Sequence, residues 1–413
     1  MRLNFLFISI SVFLLSVQAE AMEMHVPSDL PTVQEALDSS QPGDEIVVSP
    51  GTYHDLILRS EDPTSQTIVE STILHGNNAG TVITFQGSET EDFLLLGFTI
   101  TKGKAERLTA GGVFGNKATP TIRNNIIEKN VGAPSAGGGL RFCHGLIEGN
   151  TIRDNSTTAT GGGLMQCDGT IRNNLIEGNI AYGYCIIDFR GINPSSARGG
   201  GLFACQGLIE GNVIIHNKAL GGQECYDGRP TGIFVDRSTG GGLYLPGTLR
   251  DNFIGYNIAG SIEQDEVDVD GDAGGYYASE GPVTNNVIVF NHASNEYGGL
   301  VKSHNEFYNN TIAYNSAGER GGGGLINGTL RNCIVWGNFA PKDPQFRYFT
   351  PGAEYSLIQG WTEGGEGVLV GGKPDFIDPE NGDFRLGEDS VALDAGKELE
   401  GITTDIDSNP RPV

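Results

Sequence analysis

The chain has 413 residues, 62 of them glycine, with 51 acidic against 26 basic side chains and a formal net charge of −25. That charge argues against nucleic acid or an anionic membrane surface as a partner, since both are polyanions. Six cysteines are too few for a disulfide scaffold, and regularly spaced aliphatic residues among the glycines exclude a disordered chain.

The chain opens with Arg2, an apolar run over residues 5–17 and the small-x-small step Ala19-Glu20-Ala21. This is the pattern of a secretory signal over residues 1–21. The run is shorter than the roughly 20 residues a membrane span needs. The mature chain is therefore expected outside the cytoplasm, secreted, periplasmic or at the cell surface, without membrane insertion and as a monomer.

Residues 22–110 read as a cap followed by irregular coils. Thr32-Val33-Gln34-Glu35-Ala36-Leu37 predicts a short amphipathic helix, with a turn and strand up to Pro50-Gly51-Thr52-Tyr53. A helix here would cover the open end of a stack, whose unpaired strand edges invite association.

Between residues 111 and 340 the sequence repeats. One asparagine column runs Asn125, Asn150, Asn174, Asn212, Asn252, Asn286 and Asn310, with Cys333 in the next place. Five residues later a second runs Asn130, Asn155, Asn179, Asn217, Asn257, Asn291, Asn315 and Asn338. The residue three before the first column is always apolar (Ile147, Ile171), as is the residue two after it (Ile152, Ile176). The undecorated step, from Asn150 to Asn174 and again from Asn286 to Asn310, is 24 residues, which suits three short strands and three turns. Each coil alone exposes its apolar column, and stacking the next coil about 4.8 Å away buries it. Asparagine tolerates a left-handed turn, and its amide can bond the amides above and below. The Gly-Gly-Gly step marks a further corner, where glycine takes positive φ at no steric cost. The fold class is therefore all-β: a right-handed parallel β-helix with an N-terminal helical cap and loops projecting from one corner. Both asparagine columns are structural, because a ladder shared by every coil is what turn geometry needs.

Residues 341–413 form the last coils and a tail with strand candidates at 383–386 and 391–393, expected to cover the far end. Three coils are too long, and their extra residues fall at one corner as inserts 182–198, 220–239 and 260–273. Loops held side by side on a solenoid are where function is usually placed.

Both ends resemble those of secreted β-helix repeat proteins of the pectin-lyase-like superfamily. The opening segment just quoted is one such stretch. Asp375-Phe376-Ile377-Asp378-Pro379, Leu393-Asp394-Ala395-Gly396 and Asp405-Ile406-Asp407-Ser408-Asn409-Pro410-Arg411-Pro412 are similar to the closing segment of multi-repeat bacterial members. The resemblance implies the fold and a link to carbohydrate. It carries over no catalytic residues: the paired aspartates with Gly-His-Gly of polygalacturonase-like hydrolases, for example, do not occur.

The inserts supply the candidate chemistry. Asp188 and Arg190 in the first, with Asp227, Arg229, Asp236 and Arg237 in the second, place carboxylates beside guanidinium groups. Such groups serve acid/base hydrolysis, and an arginine can assist proton removal next to a uronic carboxylate in a lyase. The alternative is a solvated loop held by surface ion pairs. In the third insert, Asp268, Asp270 and Asp272 alternate around a glycine bend, which suits calcium or simply an acidic, solvated loop. Cys185 and Cys225 occupy similar places on neighbouring inserts and are expected to form a disulfide. Cys143, Cys167 and Cys205 share one repeat position, where stacking would bring two of them within disulfide range; three cannot all pair, which favours small buried thiols over a bridge.

The residue after the leucine at each glycine corner should point outward. On three adjacent coils it is Phe203, Tyr244 and Tyr277, with Tyr184 and Tyr226 on the inserts themselves; the three rings either form an aromatic strip whose flat faces suit sugars or pack beneath the inserts. The expected partner is a polysaccharide or surface glycan. The two functional readings are a hydrolase or lyase with its cleft beside the inserts, and a non-catalytic glycan-binding or adhesive rod.

Overall fold

The structure, a computed structural model, describes residues 22–26, 28–31, 35–36, 39, 45–48, 56–105, 108–134, 136–188, 191–221, 238–260, 270–279, 281–301, 307–325, 328–346 and 352–411. Of residues 45–48, 184–188, 191–194 and 325, only main chain is described. Residues up to Leu58 form one compact unit and those from Arg59 onward another. In the first, Glu23–Val26 pairs in parallel with Glu45–Val48, Glu35 and Ala36 are helical, and Met24, Val26 and Ala36 are buried. The signal sequence and most of the predicted cap helix lie outside the described residues.

The second unit is the right-handed parallel β-helix. A typical coil runs through four short strands, not three: Leu140–Arg141, Leu146–Glu148, Thr151–Arg153 and Ser156–Thr158. Each pairs in parallel with its counterpart 23 to 41 residues away. Among the described residues the first face has nine strands, the third eleven and the fourth seven. The fourth strand arises because the three residues after the second asparagine column, such as Ser156–Thr158, are also extended and paired. Stacking on the third face begins with Ile73–His75 against Thr99–Thr101 and ends with Leu357–Ile358, so it extends beyond the clearly repetitive sequence at both ends. A short helix, Gln66–Ser71, lies at the start, where Thr99 Oγ1 donates to Val69 O at 2.8 Å. Among the described residues no helix is long and apolar enough to cross a membrane.

The core is a set of in-register apolar columns. Ile122, Ile147, Ile171, Ile209 and Leu249 are fully buried, as are Ile127, Ile152, Ile176, Ile214 and Ile254. Burying a side chain of this size stabilises the folded state by roughly 1.5–3 kcal/mol. The asparagine ladders hold the corners between faces. Asn150 N–H and Nδ2 both donate to Asn174 Oδ1, at 2.9 and 3.0 Å, and Nδ2 also donates to Ile122 O at 2.9 Å. The ladder asparagines themselves are not left-handed. The residue before each one is: Asn124, Gly149, Asn173, Gly211 and Asp251, at φ 56°, 64°, 56°, 62° and 56°. The ladder residue earns its identity by its amide, and its predecessor turns the chain.

The glycine corner divides the work similarly. The first position is left-handed in Gly161, Gly199 and Gly240, and also in Ala273 and Tyr297. The next glycines answer to space: a Cβ on Gly138 would lie 2.1 Å from Gly162 O.

The C-terminal tail runs back along the side of the stack. The antiparallel pair Phe376–Asp378 and Asp383–Leu386 carries Phe384 onto Val289 and Ala313 of the third face. It meets an outer column of stacked rings, His216, Tyr256, Phe290 and Tyr314, with centroids 5.1–5.4 Å apart. That column gives the tail an apolar seat, so it docks on the flank instead of closing only the end. Residues 391–393 form a turn and not the strand expected there.

Candidate functional site

On the first face the leucine column Leu140, Leu164, Leu202 and Leu243 points inward and is buried. The next residue therefore points outward, and the register aligns Arg141, Met165, Phe203, Tyr244, Tyr277 and Val301 in one row. Arg141, Met165 and Val301 are covered, whereas Phe203, Tyr244 and Tyr277 are partly exposed. The rings of Phe203 and Tyr244 stack at 5.2 Å, and those of Tyr244 and Tyr277 at 5.1 Å, with planes within 10°.

This geometry leaves no ring face between neighbouring coils open to a ligand. Coils about 4.8 Å apart press each ring against the next, so the faces are consumed within the protein. What remains for a ligand is the row of ring edges, which are partly exposed.

The inserts rejoin the coils beside this row. Their last residues form a three-stranded parallel sheet, Ala197–Arg198, Ser238–Thr239 and Gly271–Asp272. The guanidinium of Arg198 sits 5.4 Å from the Tyr244 ring centre. Sequence reasoning missed Arg198. The available signal was its place immediately before the glycine corner, in register with Thr239 and Asp272.

In the first insert the main chain of Tyr184–Asp188 pairs antiparallel with Gly191–Ser195. The side chains of Tyr184, Cys185 and Asp188 lie outside the described residues, as do Arg190, Cys225, Tyr226, Asp227, Arg229, Asp236 and Arg237. The Cys185–Cys225 disulfide therefore falls outside them too. Of the acidic trio, Asp268 is not described, Asp270 is exposed and Asp272 is buried in strand pairing, where Asn295 Nδ2 donates to it at 3.4 Å. Among the described residues no group of three or more acidic, histidine or cysteine side chains is placed to hold a metal.

Cys143, Cys167 and Cys205 are free thiols and fully buried, in keeping with a core role. The main-chain N–H of Cys167 donates to Cys205 Sγ at 3.4 Å. Burial raises the pKa of Cys205 well above that of an ordinary thiol. Cys333 continues the first asparagine ladder: Asn310 N–H donates to its sulfur at 3.5 Å, and burial pushes its thiol up to about 12.

A second feature unread in the sequence lies on the outer side of the second face. Arg123, Glu148, Arg172, Glu210 and Arg250 stand in register with alternating charge. Arg123 and Arg172 each reach Glu148 at 2.6 Å, and Arg250 pairs with Glu210. Opposite charges facing across neighbouring strands stabilise the stack modestly.

The family described as right handed beta helix region matches residues 58–198. With the long all-parallel sheets, this makes the chain a right-handed parallel β-helix protein. No curated protein and no solved structure matches it.

Proposed function

We propose that the mature chain, exported after loss of residues 1–21, binds a polysaccharide or surface glycan along the Phe203–Tyr244–Tyr277 row. The observation that carries this reading is three partly exposed rings in register at the foot of three consecutive inserts. A linear polymer suits a linear row that repeats once per coil. Ring edges and phenol hydroxyls offer apolar contact and hydrogen bonds together, and Arg198 beside Tyr244 adds a fixed cation for hydroxyls or carboxylates.

The test is retention on a panel of immobilised neutral and acidic glycans. The parent is expected to be retained by at least one, and the double variant Tyr244→Ala, Tyr277→Ala to elute early. Equal retention of parent and variant would leave the stiff, non-binding rod as the better reading. Assaying the same glycans for new reducing ends and for unsaturated products separates binding alone from hydrolysis or elimination by the insert carboxylates and arginines.

A further inference from the structure

Acidic side chains outnumber basic ones by 51 to 26, so a guanidinium on this surface readily finds a carboxylate. Arg123, Arg153, Arg172, Arg250, Arg331 and Arg385 each do. Arg141 and Arg198 reach none among the described residues. Both border the same row on the first face.

Arg198 is partly exposed and lies over the Tyr244 ring. Its in-register neighbours are Thr160 and Thr239, so the stack supplies it no counter-charge. Arg141 stands in the row itself, between Phe114 and Met165, and is only 5% exposed. Its guanidinium sits 4.4 Å from the centre of the Phe142 ring. Nε and Nη1 are sealed and have no hydrogen-bond partner among the described residues, which leaves Nη2 as the nitrogen a ligand can meet. A buried cation without a counter-ion is costly. An anion at Nη2 alone offsets that cost, because the charge is delocalised over the whole guanidinium and Coulomb attraction acts at a distance.

We propose that the glycan held along this row is sparsely acidic, with carboxylates set apart by neutral sugars that pair with Arg198 and Arg141. The inference rests on the reading of the row as a glycan site and names the class of glycan. Two isolated cations without counter-charges call for isolated anions. The register places Arg141 beside Met165 and Met165 beside Phe203, whose coil carries Arg198, so the two cations stand two coils, or roughly 10 Å, apart along the axis. A polymer charged at every sugar is disfavoured by the net charge of −25.

The experiment measures the affinity of the full chain for soluble gellan fragments, whose glucuronates are separated by neutral sugars, and for the same fragments with their carboxyls reduced to alcohols. Polygalacturonate and neutral dextran complete the set. The parent is expected to bind gellan best and the reduced fragments about tenfold more weakly or worse, and added salt should weaken the gellan complex. Arg198→Gln should weaken gellan binding about tenfold and leave binding to the reduced fragments unchanged. Arg141→Met should weaken gellan binding too, yet melt no earlier than the parent, since it removes an uncompensated charge. Equal affinity for gellan and its reduced form, still lost in the double variant Tyr244→Ala, Tyr277→Ala, overturns this inference and leaves the glycan reading standing. Polygalacturonate bound as tightly as gellan overturns the sparse spacing. Gellan affinity unchanged in either arginine variant, or an earlier melt for Arg141→Met, overturns the pairing. Binding to none of these glycans overturns the inference as well, and the wider panel then decides the reading beneath it.

Discussion

The ring of Phe203 lies flat against that of Tyr244 on the next coil, with planes 5° apart and centroids separated by 5.2 Å. Each ring is thus part of the stack's own cohesion, and any ligand must read its edge. Tyr244→Phe keeps the stack and removes only an edge hydroxyl. It is expected to leave the melting temperature within about a degree and to weaken glycan retention, a hydrogen bond being worth about 1 kcal/mol. Retention equal to the parent's would remove Tyr244 from the binding surface.

Asn217 is a fully buried rung of the second ladder. It accepts from Asn179 N–H and Nδ2 at 3.0 Å, and its own Nδ2 donates to Ile176 O and to Asn257 Oδ1. Asn217→Ala would orphan several of these groups at once. Each buried group left unpaired costs about 1–3 kcal/mol, so urea unfolding should show a loss of about 3 kcal/mol or more. Asn116→Ala, on an exposed corner outside the ladder, is the control and should lose far less.

Tyr276 takes a leucine's place in the inward column of the first face. It is fully buried, and its hydroxyl has no hydrogen-bond partner among the described residues. Burial raises its pKa well above that of an ordinary phenol. Tyr276→Phe keeps the ring and removes the orphan, so stability should be unchanged or rise by about 1 kcal/mol. A clear loss in the melting temperature would mean that the hydroxyl does have a partner.

How far these features can be read from sequence depends on whether they repeat. Asn217 recurs in identity from Asn130 to Asn338, and Ile214 recurs as isoleucine until Val335 takes its place, so the ladder and the buried columns were legible. The left-handed corner was not, because its occupants vary among Asn124, Gly149 and Asp251 while sharing one backbone state. The row of Phe203, Tyr244 and Tyr277 was legible as a position, but its face-to-face stacking follows from coil spacing, which no single residue displays. The docking of Phe384 on Phe290 joins a non-repeating tail to the stack across 94 residues (384 − 290), with no period to reveal it.

Glu128 makes stability depend on pH. Burial pushes its pKa up, but Lys129 at 2.8 Å and Arg153 at 2.7 Å outweigh that and hold it below the usual 4.5. A carboxyl depressed on folding contributes stability that is present above its unfolded pKa and lost as pH falls through the lowered folded value. Glu128→Gln should therefore destabilise at neutral pH, by about 1 kcal/mol for a partly exposed pair, and the gap from the parent should close in strong acid. A gap that persists unchanged below that range would point to lost packing instead.

The most direct measurement of glycan binding is a crystal structure of the chain soaked with an oligosaccharide taken from a glycan that retains it. The expected result is sugar density running across the edges of Phe203, Tyr244 and Tyr277, with Arg198 in hydrogen-bond range. Density confined to another face, or none beside this row while the glycan still retains the protein, would contradict it.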